Sequence, residues 1–145
     1  MTDIVDQATR SRMMSRIRNR DTAPEMAVRR ELYRLGIRYR LHNSQLPGRP
    51  DIVIGQQRTV IFVHGCYWHR HPGCRMAYTP KSNVEFWLTK LEGNVARDTR
   101  NQAMLVEQGW RVIVIWECEV GNRTALRERL AKLPEMRSGA DGITS

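Results

Sequence analysis

Two runs of apolar residues mark the centre of the predicted fold. Residues 59–63 (TVIFV) and 110–116 (WRVIVIW) are of strand length, and nearly every position in them is apolar. Such continuous runs are typical of strands in a parallel sheet, where both faces are covered. Residues 51–54 (DIVI) precede the first run and are separated from it by the turn residues 55–57, so these two strands are predicted to form a hairpin. A further short strand is predicted at residues 39–42.

A helix is predicted before these strands. Thr22 and Glu25 have the spacing of a capping box, in which the hydroxyl of the first residue accepts a hydrogen bond at the helix start. The helix that follows would place Leu32 and Leu35 on its core face. It is expected to end at Gly36, because glycine readily adopts the left-handed conformation that terminates helices.

A longer helix is predicted between the two apolar runs. Residues 82–85 (SNVE) again have the spacing of a capping box, and the helix is expected to continue to Gln108. A connection of this length is a crossover, so the strands at 59–63 and 110–116 are predicted to be parallel neighbours. A last helix is predicted at residues 124–133. The resulting order, α-βββ-α-β-α around a mixed central sheet, defines an α/β fold.

The chain divides into a single domain and two short terminal segments. Its 145 residues are enough for one hydrophobic core. Residues 1–20 are interpreted as a basic N-terminal arm with a helix at 9–18, although a solvated charged face is an equally good interpretation of its arginines. Residues 21–134 are predicted to form the folded domain. Residues 135–145, rich in serine and glycine, are predicted to be a disordered tail.

Charge points to a polyanionic partner. Lysine and arginine number 24 against 15 acidic residues, which gives a formal charge of +9, and nucleic acid is the commonest partner of such a basic surface. A membrane is disfavoured because no apolar run approaches the roughly 18 residues that a spanning helix needs. The polar N-terminus shows no signal peptide, so a cytoplasmic protein with reduced thiols is expected.

Asp51, His64 and His69 are candidates for phosphodiester chemistry. Asp51 begins one strand of the predicted hairpin, and His64 ends the other. Mg²⁺ prefers oxygen ligands, which the Asp51 carboxylate and the backbone carbonyl of Val63 would supply. A histidine can take a proton from attacking water near neutral pH. The alternatives are an Asx turn at Asp51 and structural roles for the two histidines.

The three cysteines suggest a metal site, since they cannot all pair within one chain. Cys66, Cys74 and a nearby histidine have the spacing of zinc ligands, and Cys118 follows the last strand, whose end should lie near Cys66. Three cysteines and one histidine form a closed tetrahedral set, which suits structural zinc. Spacing alone leaves the choice between His69 and His71 open, and three unrelated thiols are the alternative.

Aromatic residues near the predicted site suggest contact with bases. Tyr67 and Trp68 lie in the cysteine-containing loop, and Trp87 lies in the first turns of the long helix. Exposed aromatic rings beside a basic surface can wedge between base pairs or stack on them. Packing in the core is the alternative for each of them.

These motifs together resemble those of the very short patch repair (Vsr) endonucleases. The resemblance extends from about residue 8 to residue 118, and its most specific parts are LPGRPD and FVHGCYWH, supported by EFW, GWRV and WEC. It implies a restriction-endonuclease-like core with a structural zinc site. It also implies nicking of one strand on the 5′ side of the thymine in T:G mismatches, which arise when 5-methylcytosine is deaminated.

The resemblance implies a role for each candidate residue. Asp51 and the Val63 carbonyl would hold Mg²⁺, with two ions expected, and His69 would be the general base. His64 would contact the phosphate or metal-bound water. Glu25 would be a further acidic residue of the active site, whose carboxylate could also orient His69. The implied ligands of one structural Zn²⁺ are Cys66, His71, Cys74 and Cys118.

The resemblance also implies the DNA contacts and partners. Tyr67, Trp68 and Trp87 match intercalating aromatics, and Met14 matches a residue of the N-terminal arm that approaches from the opposite groove. Basic contacts are expected from Arg10, Arg12 and Arg16. The partner would be double-stranded DNA with a T:G mismatch, alongside mismatch-repair proteins and a DNA polymerase, and a monomer would suffice for nicking.

Two departures from the family and several rival functions are part of this interpretation. Val63 stands where family members have threonine, and Tyr67 replaces a phenylalanine.

A non-catalytic zinc DNA-binding module would leave Asp51, His64 and His69 without a role. A restriction-type or RNA-processing nuclease on the same scaffold is the other rival. A His-Asn-His nuclease would not need the long strand–helix–strand segment.

Overall fold

The computed structural model describes residues 22–133 and 143–144. The predicted basic arm at 1–20, with its helix at 9–18, therefore lies outside the described residues. So does the predicted tail at 135–145, apart from residues 143–144.

The strands form one mixed sheet in the order β1-β2-β3-β4-β5. The strands are β1 (Arg40–Leu41), β2 (Ile52–Ile54), β3 (Thr59–His64), β4 (Arg111–Trp116) and β5 (Ile143–Thr144). The first three are antiparallel neighbours, which confirms the predicted hairpin and the additional strand before it. β3 and β4 are parallel, as the crossover argument predicted.

The order of the helices agrees with the prediction and adds one short element. The helices are α1 (Ala23–Arg34), α2 (Val84–Glu107), α3 (Glu117–Val120) and α4 (Arg123–Ala131). α3, which follows β4 directly, was not predicted. β5, within the predicted tail, pairs in parallel with β4. Within the described ranges, no helix is long and apolar enough to cross a membrane.

The sheet separates two hydrophobic clusters, which explains why its central strands are apolar throughout. On one face, residues of α1, of α4 and of the segment just after α4 pack against alternate positions of the strands: Val28, Leu32, Ile52, Ile54, Ile61, Ile113, Ile115, Leu126, Leu130 and Leu133. On the other face, Leu105 of α2 packs with the intervening positions: Val53, Val60, Phe62, Val112 and Val114. Side chains alternate between faces along a strand, so a strand covered on both sides needs apolar residues at every position.

The two predicted capping boxes have different outcomes. The hydroxyl of Thr22 accepts a hydrogen bond from the N–H of Glu25 at 3.4 Å, so the predicted N-cap of α1 is confirmed. The second box is wrong, because Asn83 rather than Ser82 precedes α2 and makes no side-chain cap. Asn83 has φ of +52°, whereas a residue that caps with its side chain usually has an extended backbone.

The loop before β2 is packed tightly against α2. Gly48 has φ of +76°, a backbone conformation that side chains disfavour. A Cβ atom at Gly48 would lie 2.9 Å from the Cβ of Asn101 and 3.2 Å from the ring of Phe62. This close approach explains the glycine and determines how the chain enters β2.

Replacement of Gly48 by alanine is therefore expected to be destabilising for two reasons. The backbone conformation costs roughly 1–2 kcal/mol and the steric conflict with Asn101 adds about 1–3 kcal/mol. Gly36→Ala is the matched control, since Gly36 has φ of +75° but no neighbour within 4 Å of the point that a Cβ atom would occupy. Urea unfolding should show a clearly larger loss for Gly48→Ala, and equal losses would contradict the packing argument.

Candidate active site

Asp51 lies where the antiparallel pairing of β2 and β3 ends. Its Oδ2 accepts a hydrogen bond from the backbone N–H of Val63 at 2.7 Å. Burial raises the pKa of Asp51 from 3.8 to about 6, and the nearby Glu25 carboxylate also raises it. The Val63 hydrogen bond and the neighbouring His42 and His69 lower the pKa by less than burial raises it. Asp51 is thus a partly buried carboxylate whose negative charge is incompletely compensated.

Glu25 lies beside Asp51, but its contacts differ from those that were expected. Its Oε2 accepts a hydrogen bond from Nε2 of His42 at 2.7 Å and also pairs with Arg29. The potential ligand atoms of Glu25, His42 and Asp51 all lie within 4.8 Å of one another. The expectation that Glu25 orients His69 is wrong, because His69 has another carboxylate partner. Sequence reasoning missed His42, although the antiparallel pairing of β1 with β2 points to a position opposite Asp51.

His69 is held by Asp98 and stacks on His64. Nδ1 of His69 lies 2.6 Å from Oδ2 of Asp98, a hydrogen bond in which the carboxylate accepts. The rings of His64 and His69 are parallel within 5°, with centroids 3.7 Å apart. Burial, together with a smaller effect of the neighbouring His69, lowers the pKa of His64 to about 3. His64 is therefore neutral at physiological pH.

Two residues one turn apart on α2 fix the loop that carries His69. Asn94, which is buried, donates a hydrogen bond to the carbonyl of Trp68 at 3.0 Å, and Asp98 binds His69 itself. Residues four apart lie on the same face of a helix. Sequence reasoning missed Asp98, whose only signal was this spacing on the predicted long helix.

The three cysteines and one histidine that were proposed as zinc ligands come together at the same end of the sheet. The ligand atoms of Cys66, His71, Cys74 and Cys118 all lie within 4.8 Å of one another. Cys66 follows β3 and Cys118 follows β4, and the parallel pairing of these strands brings both thiols to one edge. Successive backbone hydrogen bonds from His71 to Cys66 and from Cys74 to His71 fold the intervening loop.

The distances in this cluster fit a tetrahedral metal site. Nδ1 of His71 lies 3.7 Å from Sγ of Cys66 and 3.5 Å from Sγ of Cys118. In tetrahedral zinc, with Zn–S of about 2.3 Å and Zn–N of about 2.0 Å, sulfur and nitrogen ligands are about 3.5 Å apart. Burial raises the pKa of the Cys66 thiol to about 12, but a coordinated metal ion deprotonates such a thiol outright. The four side chains can therefore hold Zn²⁺.

Partly buried aromatic rings extend from the cysteine-containing loop to the start of α2. Tyr67 and Trp68 meet edge to face with ring centroids 5.0 Å apart, and Trp68 lies 6.4 Å from Trp87. Two exposed rings continue this cluster, since Tyr78 contacts Tyr67 and Phe86 contacts Trp87. The three aromatics identified from the sequence thus share one cluster. The other proposed DNA contacts, Arg10, Arg12, Met14 and Arg16, lie outside the described residues.

Comparison with a solved structure supports the predicted fold. The catalytic domain of the homing endonuclease I-Bth0305I matches with a TM-score of 0.56 and 21% sequence identity, over 81% of this chain and 98% of that domain. This likeness, together with the mixed sheet and the Cys/His cluster, confirms the restriction-endonuclease-like α/β fold.

Sequence comparisons identify the family. A family model described as "DNA mismatch endonuclease Vsr" matches residues 2–75. The type II nicking enzyme V.XorIIP of Xanthomonas oryzae pv. oryzae is 47% identical over 92% of this chain and 97% of its own length. The DNA mismatch endonuclease Vsr of Escherichia coli K12 is 45% identical over 90% of this chain and 86% of its own length. With identity of this extent across nearly the whole chain, this protein belongs to the Vsr family of DNA mismatch endonucleases.

Proposed function

We propose that this enzyme nicks one strand of duplex DNA on the 5′ side of the thymine in T:G mismatches, in a Mg²⁺-dependent reaction. Such mismatches arise by deamination of 5-methylcytosine. The observation that carries the proposal is the convergence of the Asp51 carboxylate and the His69–Asp98 pair at one end of the sheet, beside the aromatic cluster. A mismatch endonuclease and nicking enzymes among the relatives support it.

The residues around Asp51 fit a hard cation. Asp51 and the backbone carbonyl of Val63 are the proposed ligands of Mg²⁺, with two ions expected and Glu25 close by. The negative charge of Asp51 is not fully compensated by its neighbours, because burial raises its pKa by more than they lower it. Binding of a cation at this carboxylate is therefore favoured. When bound there, Mg²⁺ would supply positive charge at the scissile phosphate and would make nearby water more acidic. Val63 lacks the hydroxyl of the family threonine, but it retains the carbonyl that the proposal requires.

His69 is the proposed general base. Asp98 accepts the hydrogen bond from Nδ1 of His69, so the neutral ring has its proton on Nδ1 and a free lone pair on Nε2. Nε2 can then take a proton from the attacking water, while Asp98 stabilises the imidazolium that forms. His64 remains neutral, supports the His69 ring by stacking, and is proposed to contact the phosphate.

The aromatic cluster is the proposed reader of the mismatch. Insertion of Tyr67, Trp68 and Trp87 into the base stack costs least where pairing is already defective. Trp68 directly precedes His69 in the chain, so an inserted ring would lie close to the proposed base. The hydroxyl of Tyr67, absent from the family phenylalanine, is protonated because burial raises its pKa further above neutrality.

Nicking of labelled duplexes tests this function directly. We expect a nick only in the thymine strand of a T:G duplex, in the presence of Mg²⁺ and not with EDTA. A matched C:G duplex of the same sequence is the control. Cleavage of both duplexes would favour a restriction-type nuclease, and cleavage of neither, with binding retained, would favour a non-catalytic DNA-binding role.

Asp51→Asn is expected to abolish nicking and yet to stabilise the protein at high pH. The folded protein holds the Asp51 proton more tightly than the unfolded chain does, so stability falls as the pH rises from 3.8 to about 6, and the full cost of the ionised carboxylate applies above that. The rise in pKa corresponds to roughly 3 kcal/mol at most. The asparagine can still accept the Val63 hydrogen bond.

Thermal unfolding in EDTA measures this effect. Relative to wild type, Asp51→Asn should melt higher at pH 8, and the gain should diminish as the pH falls to about 5. Asp98→Asn is a useful control, because Asp98 pairs with His69 and lies outside the proposed metal site. A variant that is equally destabilised at both pH values, or that still nicks DNA, would exclude this role for Asp51.

His71 and Cys118 are proposed ligands of one structural Zn²⁺, together with Cys66 and Cys74. Cys118→Ser and His71→Ala are expected to lose zinc and stability together, because binding free energy at a structural zinc site is folding free energy. His69→Ala is the matched control, since it removes the other histidine of the loop and should lose nicking but keep zinc. Atomic absorption on the purified proteins checks this, and stoichiometric zinc in Cys118→Ser would contradict the assignment.

A further inference from the structure

We propose that His42 is a positioning residue for the nicking reaction, which holds the Glu25 carboxylate beside Asp51 through a hydrogen bond from its Nε2. The inference rests on the proposed function, because it assigns Glu25 and Asp51 to one metal-dependent site. Nothing in the sequence motifs singled out His42, and its role follows from where β1 places it.

The hydrogen bond between His42 and Glu25 is buried and joins two separate segments. The side chains of His42 and Glu25 are 9% and 2% exposed, and Nε2 of His42 lies 2.7 Å from Oε2 of Glu25. Glu25 lies in the first turn of α1, whereas His42 follows β1, 17 residues later. A hydrogen bond to a charged group is strengthened by exclusion of water, so this contact restricts the carboxylate to one orientation.

The backbone of His42 is tied directly to Asp51. Its N–H donates a hydrogen bond to the carbonyl of Asp51 at 3.0 Å, which extends the pairing of β1 with β2 by one step. His42 therefore binds the Asp51 backbone with its own N–H and the Glu25 carboxylate with its ring. Any displacement of β1 would move both acidic residues relative to each other.

The backbone conformation of His42 indicates that the position is constrained. His42 has φ of +48°, in the left-handed region, which is uncommon for residues other than glycine, although asparagine, aspartate and histidine adopt it more often than other residues do. Such strain persists where the surrounding structure over-determines it, and it is concentrated at functional sites.

The chemistry of the site explains why Glu25 needs such a partner. Glu25 and Asp51 are two carboxylates whose charges repel, and the proximity of Glu25 raises the pKa of Asp51. The nearby His42 acts in the opposite direction on Asp51. A hydrogen-bond donor to the Glu25 carboxylate reduces the repulsion between the two negative charges, so both carboxylates can point toward one site. Arg29 also pairs with Glu25, but from within α1, whereas the contact with His42 links Glu25 to the strand side of the site.

Three substitutions at His42 distinguish positioning from a merely structural role. The amide nitrogen of glutamine can occupy the place of Nε2, whereas that of asparagine reaches only the place of Nδ1. The backbone at φ +48° favours asparagine over glutamine. Positioning through Nε2 therefore predicts that activity follows the order glutamine, then asparagine and alanine, while a structural role predicts the reverse order for asparagine and glutamine.

The measurement is single-turnover nicking at saturating T:G duplex, with DNA affinity and melting temperature determined for each variant. We expect His42→Ala and His42→Asn to lower the nicking rate about 10- to 100-fold with unchanged DNA affinity, and His42→Gln to restore most of it. Better activity of His42→Asn than of His42→Gln would overturn the proposal. Activity that merely follows the melting temperature across the variants would do the same.

A double-mutant cycle with Glu25 separates this inference from the proposed function. If His42 acts through Glu25, His42→Ala should cause little further loss of rate in a Glu25→Gln background. If the fold-losses in nicking rate of the two single variants instead multiply in the double variant, the positioning role is overturned and the nuclease proposal stays intact. A wild-type enzyme that nicks no T:G duplex would instead contradict the proposed function, and Asp51→Asn serves as the reference for complete loss.

Discussion

The parallel pairing of β3 with β4 is the constraint on which the rest of the structure depends. Its register, from Thr59 opposite Arg111 to His64 opposite Trp116, aligns the carboxyl ends of two strands that are 52 residues apart in the chain. One strand end leads into His64 and Cys66, and the other leads into Cys118. A shift of one strand by one residue would move its side chains to the opposite faces of the sheet, so that they would exchange places between the two clusters, and it would separate the cysteines. Burial on both faces therefore specifies the geometry of the active site as well as the core.

The polar side chains at this edge of the sheet each lower the stability of the folded protein. Asp51 is ionised less readily than an ordinary aspartate because it is buried, and His64 is kept neutral for the same reason. Nδ1 of His64 is buried without a hydrogen-bond partner among the described residues. A core built for stability alone would avoid such groups. Their concentration in one place, opposite a well-packed apolar core, is characteristic of a site selected for chemistry.

The sequence predicted the elements well and the contacts between side chains only in part. Periodicity and apolar runs identified the sheet, its parallel pair and the three longer helices, because burial on one or both faces leaves a regular pattern. The cysteine spacing located the metal cluster, since its ligands lie close in the chain or at strand ends. His42 and Asp98 were missed because their partners are distant in sequence. A histidine after a two-residue strand, or an aspartate within a charged helix, looks the same whether it faces the site or the solvent.

The loop between β3 and α2 couples the proposed reader of the mismatch to the proposed base. His69 lies between Cys66 and His71, two of the proposed zinc ligands, so a bound zinc ion would restrain the loop on both sides of the proposed base. On the other side, Asn94 holds the carbonyl of Trp68 while Asp98 holds the His69 ring, both from α2. A force applied to Trp68 by the DNA must therefore act on the same short segment that orients His69. This arrangement gives a physical reason why recognition and cleavage would respond to one another, and it requires no movement of the core.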